Sequence, residues 1–217
     1  RLKKVQDRIA HSRTSISARE IQILAVSKSQ SVEKMQAAYA QASQKLFGEN
    51  YLQEALEKQQ SLLSPDIEWH FIGHLQSNKI KSIVGAFDLI HSVDRIELIK
   101  EIHKRAEQKN LTQKVLIEVN IADETSKSGI APQLLPALLD QAKAFPRVKI
   151  AGLMCMPPLG KNETETRQYF AATRALAEQY KLAKLSMGTS EDFEWAVAEG
   201  ATILRLGTIL FGKRGEL

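Results

Sequence analysis

Eight short apolar runs alternate with longer segments of helical period along this 217-residue chain, and that alternation limits the folds open to it. The first run, Ile21-Gln22-Ile23-Leu24-Ala25-Val26, is almost continuously apolar, as a strand covered on both faces requires. The others are Lys45–Gly48, Ile67–Ile72, Phe87–His91, Val115–Val119, Val148–Met154, Ala183–Ser186 and Thr202–Leu206. Between them Ile96, Ile99, Ile102 and Ala106 mark one helix face. Leu134, Leu135, Leu138, Ala142 and Phe145 mark a second, with Pro132 near its first turn, and Tyr169, Thr173, Leu176 and Tyr180 a third. Gly200 reads as a helix C-cap, and Arg1 to Arg8 as a further helix at the start. Strand–helix units repeated in this way predict an α/β protein, a single TIM (β/α)8 barrel with an extra N-terminal helix spanning residues 1–217. The rival is an open doubly wound sheet. It lacks support, because no G-x-G-x-x-G follows the first strand and no G-x-x-x-x-G-K-[ST] occurs.

Composition narrows the function classes. Hydrophobic residues at 43% and charged residues at 25% are ordinary for a soluble globular domain, and a chain of this length buries roughly 70% of its unfolded surface without a staple. The single cysteine, Cys155, excludes an internal disulfide and a Cys-rich metal cluster. No apolar stretch suffices for a membrane span, the N-terminus is too polar for a signal peptide, and the expected location is the cytoplasm. On that reading the sequons at Asn110 and Asn162 are incidental. The formal charge of +5 is scattered, densest in Arg1 to Arg13, Lys79-Ile80-Lys81 and Lys213-Arg214. With aromatics at only 6% it describes a solvated basic surface that tolerates small anions, and no nucleic-acid partner is expected.

Chemistry in such a barrel gathers where strands end. Ser27-Lys28 closes the first strand. Taken alone, Lys28 reads first as an ordinary lysine with a packed stem; partly buried, it becomes an amine able to form a Schiff base. The seventh strand runs into Ser186-Met187-Gly188-Thr189-Ser190, with Glu191-Asp192 opening a helix, and the eighth into Arg205-Leu206-Gly207-Thr208. These loops suit a phosphate, although Thr189 or Ser190 could equally cap the helix. Arg205, a fixed cation inside the mouth, needs an acceptor. His70 and His74 do not make a metal pair, because Phe71-Ile72-Gly73 between them is strand and turn. Asn50 reads as a helix N-cap as readily as a site residue, and Cys155 as a buried, inert thiol. A Schiff-base lysine, a phosphate cradle and an arginine together outline a pyridoxal phosphate site, with Arg205 at the ring nitrogen making the cofactor a weak electron sink.

The chain resembles the YggS/PROSC family of pyridoxal phosphate homeostasis proteins, whose barrel is similar to the N-terminal domain of alanine racemase. The resemblance is carried by Ala25-Val26-Ser27-Lys28, Phe47–Glu54, Trp69–Lys79, His91–Asp94, Lys127-Ser128-Gly129, Gly152–Pro157, Leu185–Phe193 and Arg205–Gly212. It implies that Lys28 carries pyridoxal 5′-phosphate as an internal aldimine. It further implies phosphate contacts from Ser190, Gly207 and Thr208, with Arg205 at the pyridine nitrogen. Asn50 and His70 would line the cofactor, and Met154 and Met187 its surroundings. The family usually reads Ser-Met-Gly-Met-Ser where Thr189 stands here, a change that alters packing or adds a hydroxyl near the phosphate.

The implied function is vitamin B6 homeostasis: a cytoplasmic monomer that buffers or delivers the cofactor to apo-enzymes, with little turnover. The related racemases add a C-terminal β-domain bearing an acid/base tyrosine; Leu217 leaves no room for one, so the mouth is expected to be open to water. The alternatives are a small pyridoxal phosphate-dependent racemase or lyase, and a cofactor-free isomerase of phosphorylated sugars.

Overall fold

The computed structural model describes residues 1–17, 20–62, 64–124 and 127–212; Lys213-Arg214 and Leu217 lie outside the described residues. Helix α1 (Leu2–His11) precedes β1 (Gln22–Val26), α2 (Val32–Ala42), β2 (Leu46–Glu49), α3 (Leu52–Ser61) and β3 (Glu68–Phe71). Then come α4 (Ile80–Ile83), β4 (Leu89–Val93), α5 (Ile96–Gln108), β5 (Gln113–Val119), α6 (Leu135–Ala142) and β6 (Val148–Cys155). The chain continues through α7 (Glu163–Gln179), β7 (Lys184–Ser186), α8 (Phe193–Ala198), β8 (Ile203–Leu206) and α9 (Thr208–Phe211). Each strand pairs in parallel with the next, and β8 returns to β1, so the sheet is a closed barrel. The expected TIM barrel with its additional N-terminal helix is what forms.

Alternation along the strands sorts side chains into two cores. Residues facing outward, such as Ala25, Phe47, Ile90 and Val115, pack against the helices. Those facing inward include Leu24, Leu46, Leu89, Leu116 and Ile203, which form an apolar layer inside the barrel. One turn further toward the strand ends the inward positions become polar: His70, His91, Ser186 and Arg205, all buried. The barrel is thus apolar below and polar toward its mouth.

Local chemistry fixes the elements. Asn162 caps α7 in a reciprocal capping box with Glu165, which accounts for that sequon structurally. Val5 and Ile9 bury one face of α1, and Arg8 pairs in bidentate fashion with Glu194 at 3.0 and 2.8 Å. Gly152 lies where β6 shifts register against β5. A Cβ there would stand 1.9 Å from the Lys184 carbonyl oxygen, so no side chain fits.

Several boundaries differ from expectation, among them the start of β5, two residues early at Gln113. β4 begins two residues late, at Leu89, and runs on through Ser92, whose hydroxyl donates to the Gly73 carbonyl at 2.5 Å. The second helix is split, with Pro132–Leu134 forming a 3-10 turn before α6, and Phe145 falls beyond it. Helix α8 starts only at Phe193, after Asp192, so neither Thr189 nor Ser190 is its N-cap.

Candidate functional site

Lys28 sits half-buried directly beyond β1, in a turn closed by the Gln30 amide donating to the Ser27 carbonyl at 2.9 Å. Ser29, next to it, adopts a left-handed φ of 59°. Beside this turn the β8 end supplies Gly207, whose ideal Cβ would meet only Val26, at 3.5 Å from its carbonyl oxygen and 3.6 Å from its Cβ. That is ordinary contact, so the glycine leaves an opening rather than relieving a clash. Facing it, Ser190 Oγ accepts from the amides of Gly207 and Ile209 at 3.3 and 3.4 Å. A hydroxyl and two converging amides are a donor set suited to an anion. Ser190 and Gly207, both expected to contact a phosphate, are thus brought together, Ile209 joins them, and Thr208 lies exposed between Gly207 and Ile209.

The neighbouring acid does not crowd this cradle. Asp192 Oδ1 accepts from the Thr189 amide at 2.6 Å and the Thr189 hydroxyl at 2.9 Å. The hydroxyl that replaces the family's methionine therefore serves the loop itself. Across the mouth, Asn50 is no cap: the N-cap of α3 is Tyr51, and Asn50 Oδ1 is buried without a hydrogen-bond partner among the described residues. Gly73 sets its position, because a Cβ there would be 2.1 Å from the Asn50 carbonyl oxygen. A buried acceptor without a donor at a barrel mouth is a place for a ligand's donor.

Arg205 lies inside the barrel, 6% exposed. Its Nη1 donates to both the carbonyl and the Oγ of Ser186 at 2.7 Å, and its Nη2 to the Cys155 carbonyl at 2.9 Å. The Nε hydrogen and one on Nη2 remain for a ligand acceptor among the described residues. Ser186 Oγ lies 3.0 Å from His91 Nδ1, and His91 Nε2 lies 2.9 Å from His70 Nδ1. With Ser186 Oγ accepting from Arg205, the assignment that uses every group has the serine hydrogen directed to His91 Nδ1, His91 Nε2 donating to His70 Nδ1 and the His70 proton on Nε2. Burial lowers both imidazoles, His70 to about 3, so each is neutral at neutral pH. His74, by contrast, lies beyond β3 with Ser128 Oγ at 3.5 Å, so the two histidines have different partners.

Met154 belongs to the inner layer, whereas Met187 is fully buried and packs with Leu185 in the core between barrel and helices. Cys155 is buried, and burial pushes its thiol up to about 11, which matches the inert role expected of it.

Sequence reasoning missed His91, Ser186, Ile209 and Glu118. The first two had a signal, since Leu89-x-His91 and Lys184-x-Ser186 share the period that points residues inward. Glu118, in register with Met154 on the adjacent strand, is pushed up to about 7, mainly by burial and then by Asp94, against the pull of Arg205. Between pH 4.5 and 7 the folded chain therefore keeps a proton that the unfolded chain has lost, and stability falls as pH rises through that window. Glu118→Gln is expected to raise the melting temperature by on the order of 5 °C at pH 8 and to leave it unchanged at pH 4. Equal melting temperatures at pH 8 would show that the ionised carboxylate costs nothing.

Fold and mouth together define a TIM barrel whose open end joins a strand-end lysine, an amide-and-hydroxyl cradle and a buried arginine. Residues 1–215 match the family described as alanine racemase, N-terminal domain. Over 222 aligned positions the chain is 43% identical to the pyridoxal phosphate homeostasis protein of Aquifex aeolicus, covering 99% of this chain and 97% of that one. PipY of Synechococcus elongatus, solved with pyridoxal phosphate bound, is 40% identical at a TM-score of 0.83, over 95% of this chain and 99% of that one. The chain belongs to the alanine racemase N-terminal domain family and, within it, to the pyridoxal phosphate homeostasis proteins. An alanine racemase of Clostridium difficile in complex with cycloserine shares the fold alone, at 13% identity and a TM-score of 0.73, over 97% of this chain and 59% of that one.

Proposed function

We propose that the chain binds pyridoxal 5′-phosphate at the barrel mouth through Lys28 and serves vitamin B6 homeostasis, buffering or delivering the cofactor with little turnover of its own. The observation that carries this reading is the adjacency of the Lys28 turn to the cradle of Ser190, Gly207 and Ile209, with Arg205 inside the same opening. When bound, the cofactor supplies an aldehyde for a primary amine and a pyridine ring that withdraws electrons.

The protein's own groups divide the work. Ser190 Oγ and the amides of Gly207 and Ile209 take the phosphate, with Thr208 beside them. Asn50 Oδ1, buried and without a partner among the described residues, would accept from a ring substituent, and His70 would line the interior below. The Arg205 donors left over among the described residues would serve the ring nitrogen, where a cation would keep that nitrogen unprotonated. Met154 contributes an apolar wall from the inner layer, and Met187 acts only from behind it.

The reading extends to a single unit over residues 1–217, a monomer in the cytoplasm that releases cofactor to apo-enzymes. Among the described residues no helix is long and apolar enough to cross a membrane. One observation favours a second reading, a racemase or lyase: Glu118, at about 7, is able to exchange a proton near neutrality.

An absorbance spectrum before and after borohydride, followed by peptide mass mapping, tests the proposal. The expected result is a visible band lost on reduction, with a pyridoxyl adduct on the Lys28 peptide that is missing in Lys28→Ala. Amino-acid turnover in the wild type, lost in Lys28→Ala, would move the assignment to the second reading. No band with excess pyridoxal phosphate would overturn both and leave a phosphate-binding barrel.

A further inference from the structure

A second lysine stands behind the first. Lys58, on α3, is 4% exposed, an unusual place for an ammonium. Its Nζ donates to the Ser27 carbonyl at 2.6 Å, to Glu49 Oε1 at 2.7 Å and to Glu54 Oε1 at 2.6 Å. The two carboxylates continue toward the same turn. Glu49 Oε1 accepts from Ser27 Oγ at 2.7 Å, and Glu54 Oε1 accepts from the Ser29 amide at 2.6 Å. Both neighbours of Lys28 in the chain are thus tied to one buried ammonium, directly or through a carboxylate. The Ser27 carbonyl that Lys58 holds is also the acceptor that closes the turn.

This arrangement is costly for stability alone. Glu49 is fully buried, its Oε2 has no partner among the described residues, and burial pushes its carboxyl above the ordinary range. Ser29 is held left-handed, a conformation a serine rarely adopts unaided. A buried ion cluster that fixes a strained turn is explained if the geometry of what lies inside the turn matters.

We infer that Lys58 is a positioning residue for Lys28: with Glu49 and Glu54 it locks the Ser27–Gln30 turn so that the Lys28 amine is presented to the mouth in one orientation. The inference rests on the cofactor reading above. In the step it assists, the neutral Lys28 amine adds to an aldehyde carbon, C=O is exchanged for C=N, and one water leaves, with no change of oxidation state. Orientation of the amine enters the rate of that condensation, whereas ring and phosphate binding depend on groups elsewhere in the mouth.

The test uses two probes on the chain of residues 1–217. Pyridoxal 5′-phosphate reports the rate of adduct formation, followed by absorbance and trapped by borohydride. Pyridoxine 5′-phosphate, with an alcohol in place of the aldehyde, reports occupancy of the pocket without attachment. Lys58→Met is expected to slow adduct formation by about ten- to a hundred-fold, while its affinity for pyridoxine 5′-phosphate stays within about two-fold of wild type. A wild-type rate in Lys58→Met overturns the inference, and so does a loss of analogue affinity that matches the loss of rate. If Lys58→Met fails to fold by circular dichroism, Glu54→Gln, at the edge of the cluster, decides: a rate reduced about three-fold or more supports the inference and an unchanged rate overturns it. A wild-type protein that binds the analogue yet forms no adduct overturns the cofactor reading itself, an outcome distinct from equal rates in wild type and variant.

Discussion

Arg205→Met is expected to destabilise the chain by about 3 kcal/mol or more, the largest stability effect of any substitution at the mouth. Three acceptors lose a charged donor at once: the Ser186 carbonyl, Ser186 Oγ and the Cys155 carbonyl. These lie inside the barrel, where water does not replace the donor. Arg205→Lys should fall between, because one ammonium cannot span two strands as the guanidinium fork does. Urea denaturation of the two variants measures the difference. A loss under 1 kcal/mol for Arg205→Met would mean that the carbonyls find other partners.

The second large effect is on acid stability. His70 and His91 are neutral in the fold, His70 titrating at about 3, and both protonate at ordinary imidazole values once unfolded. Below about pH 6.5 the unfolded chain therefore binds more protons than the folded one, so stability falls as pH falls toward 3. Each histidine contributes up to ~1.4 kcal/mol per pH unit, and Glu118 opposes one of them above pH 4.5. His91→Gln keeps an acceptor for Ser186 and a donor for His70 but cannot titrate. Its unfolding free energy between pH 4.5 and 6 should change less steeply than that of wild type by about 1.4 kcal/mol per pH unit, read from urea curves at a series of pH values. Parallel pH profiles would show that His91 is not desolvated as its burial indicates.

The fold was legible because its signal is repeated and local. Each apolar run is a strand, and the two strands whose boundaries slipped by two residues, β4 and β5, did so where polar side chains find backbone partners: Ser92 on Gly73, and Gln113, buried at the start of β5, donating to the Phe87 carbonyl at 2.9 Å. Such residues read as loop until their partner is known. Within the mouth, Lys28, Ser190, Arg205 and Gly207 were legible from position, as each ends a strand or the loop after it. Met187 was not separable from Met154 by pattern, because the seventh strand ends just before it. Lys58 was least visible of all. Glu54 and Lys58 are spaced as an exposed helix pair would be, and only Glu49, arriving from β2, turns that pair into a buried cluster.

The layer of Leu24, Leu46, Leu89, Leu116 and Ile203 has a kinetic consequence. Among the described residues it closes the barrel interior from beneath, so the cup above it opens toward the strand ends. Whatever occupies the mouth arrives and departs past the same few loops, so its residence time is set by those loops together with the groups that hold it. Substitutions in the sealing layer should change how long the protein survives, not how long its passenger stays.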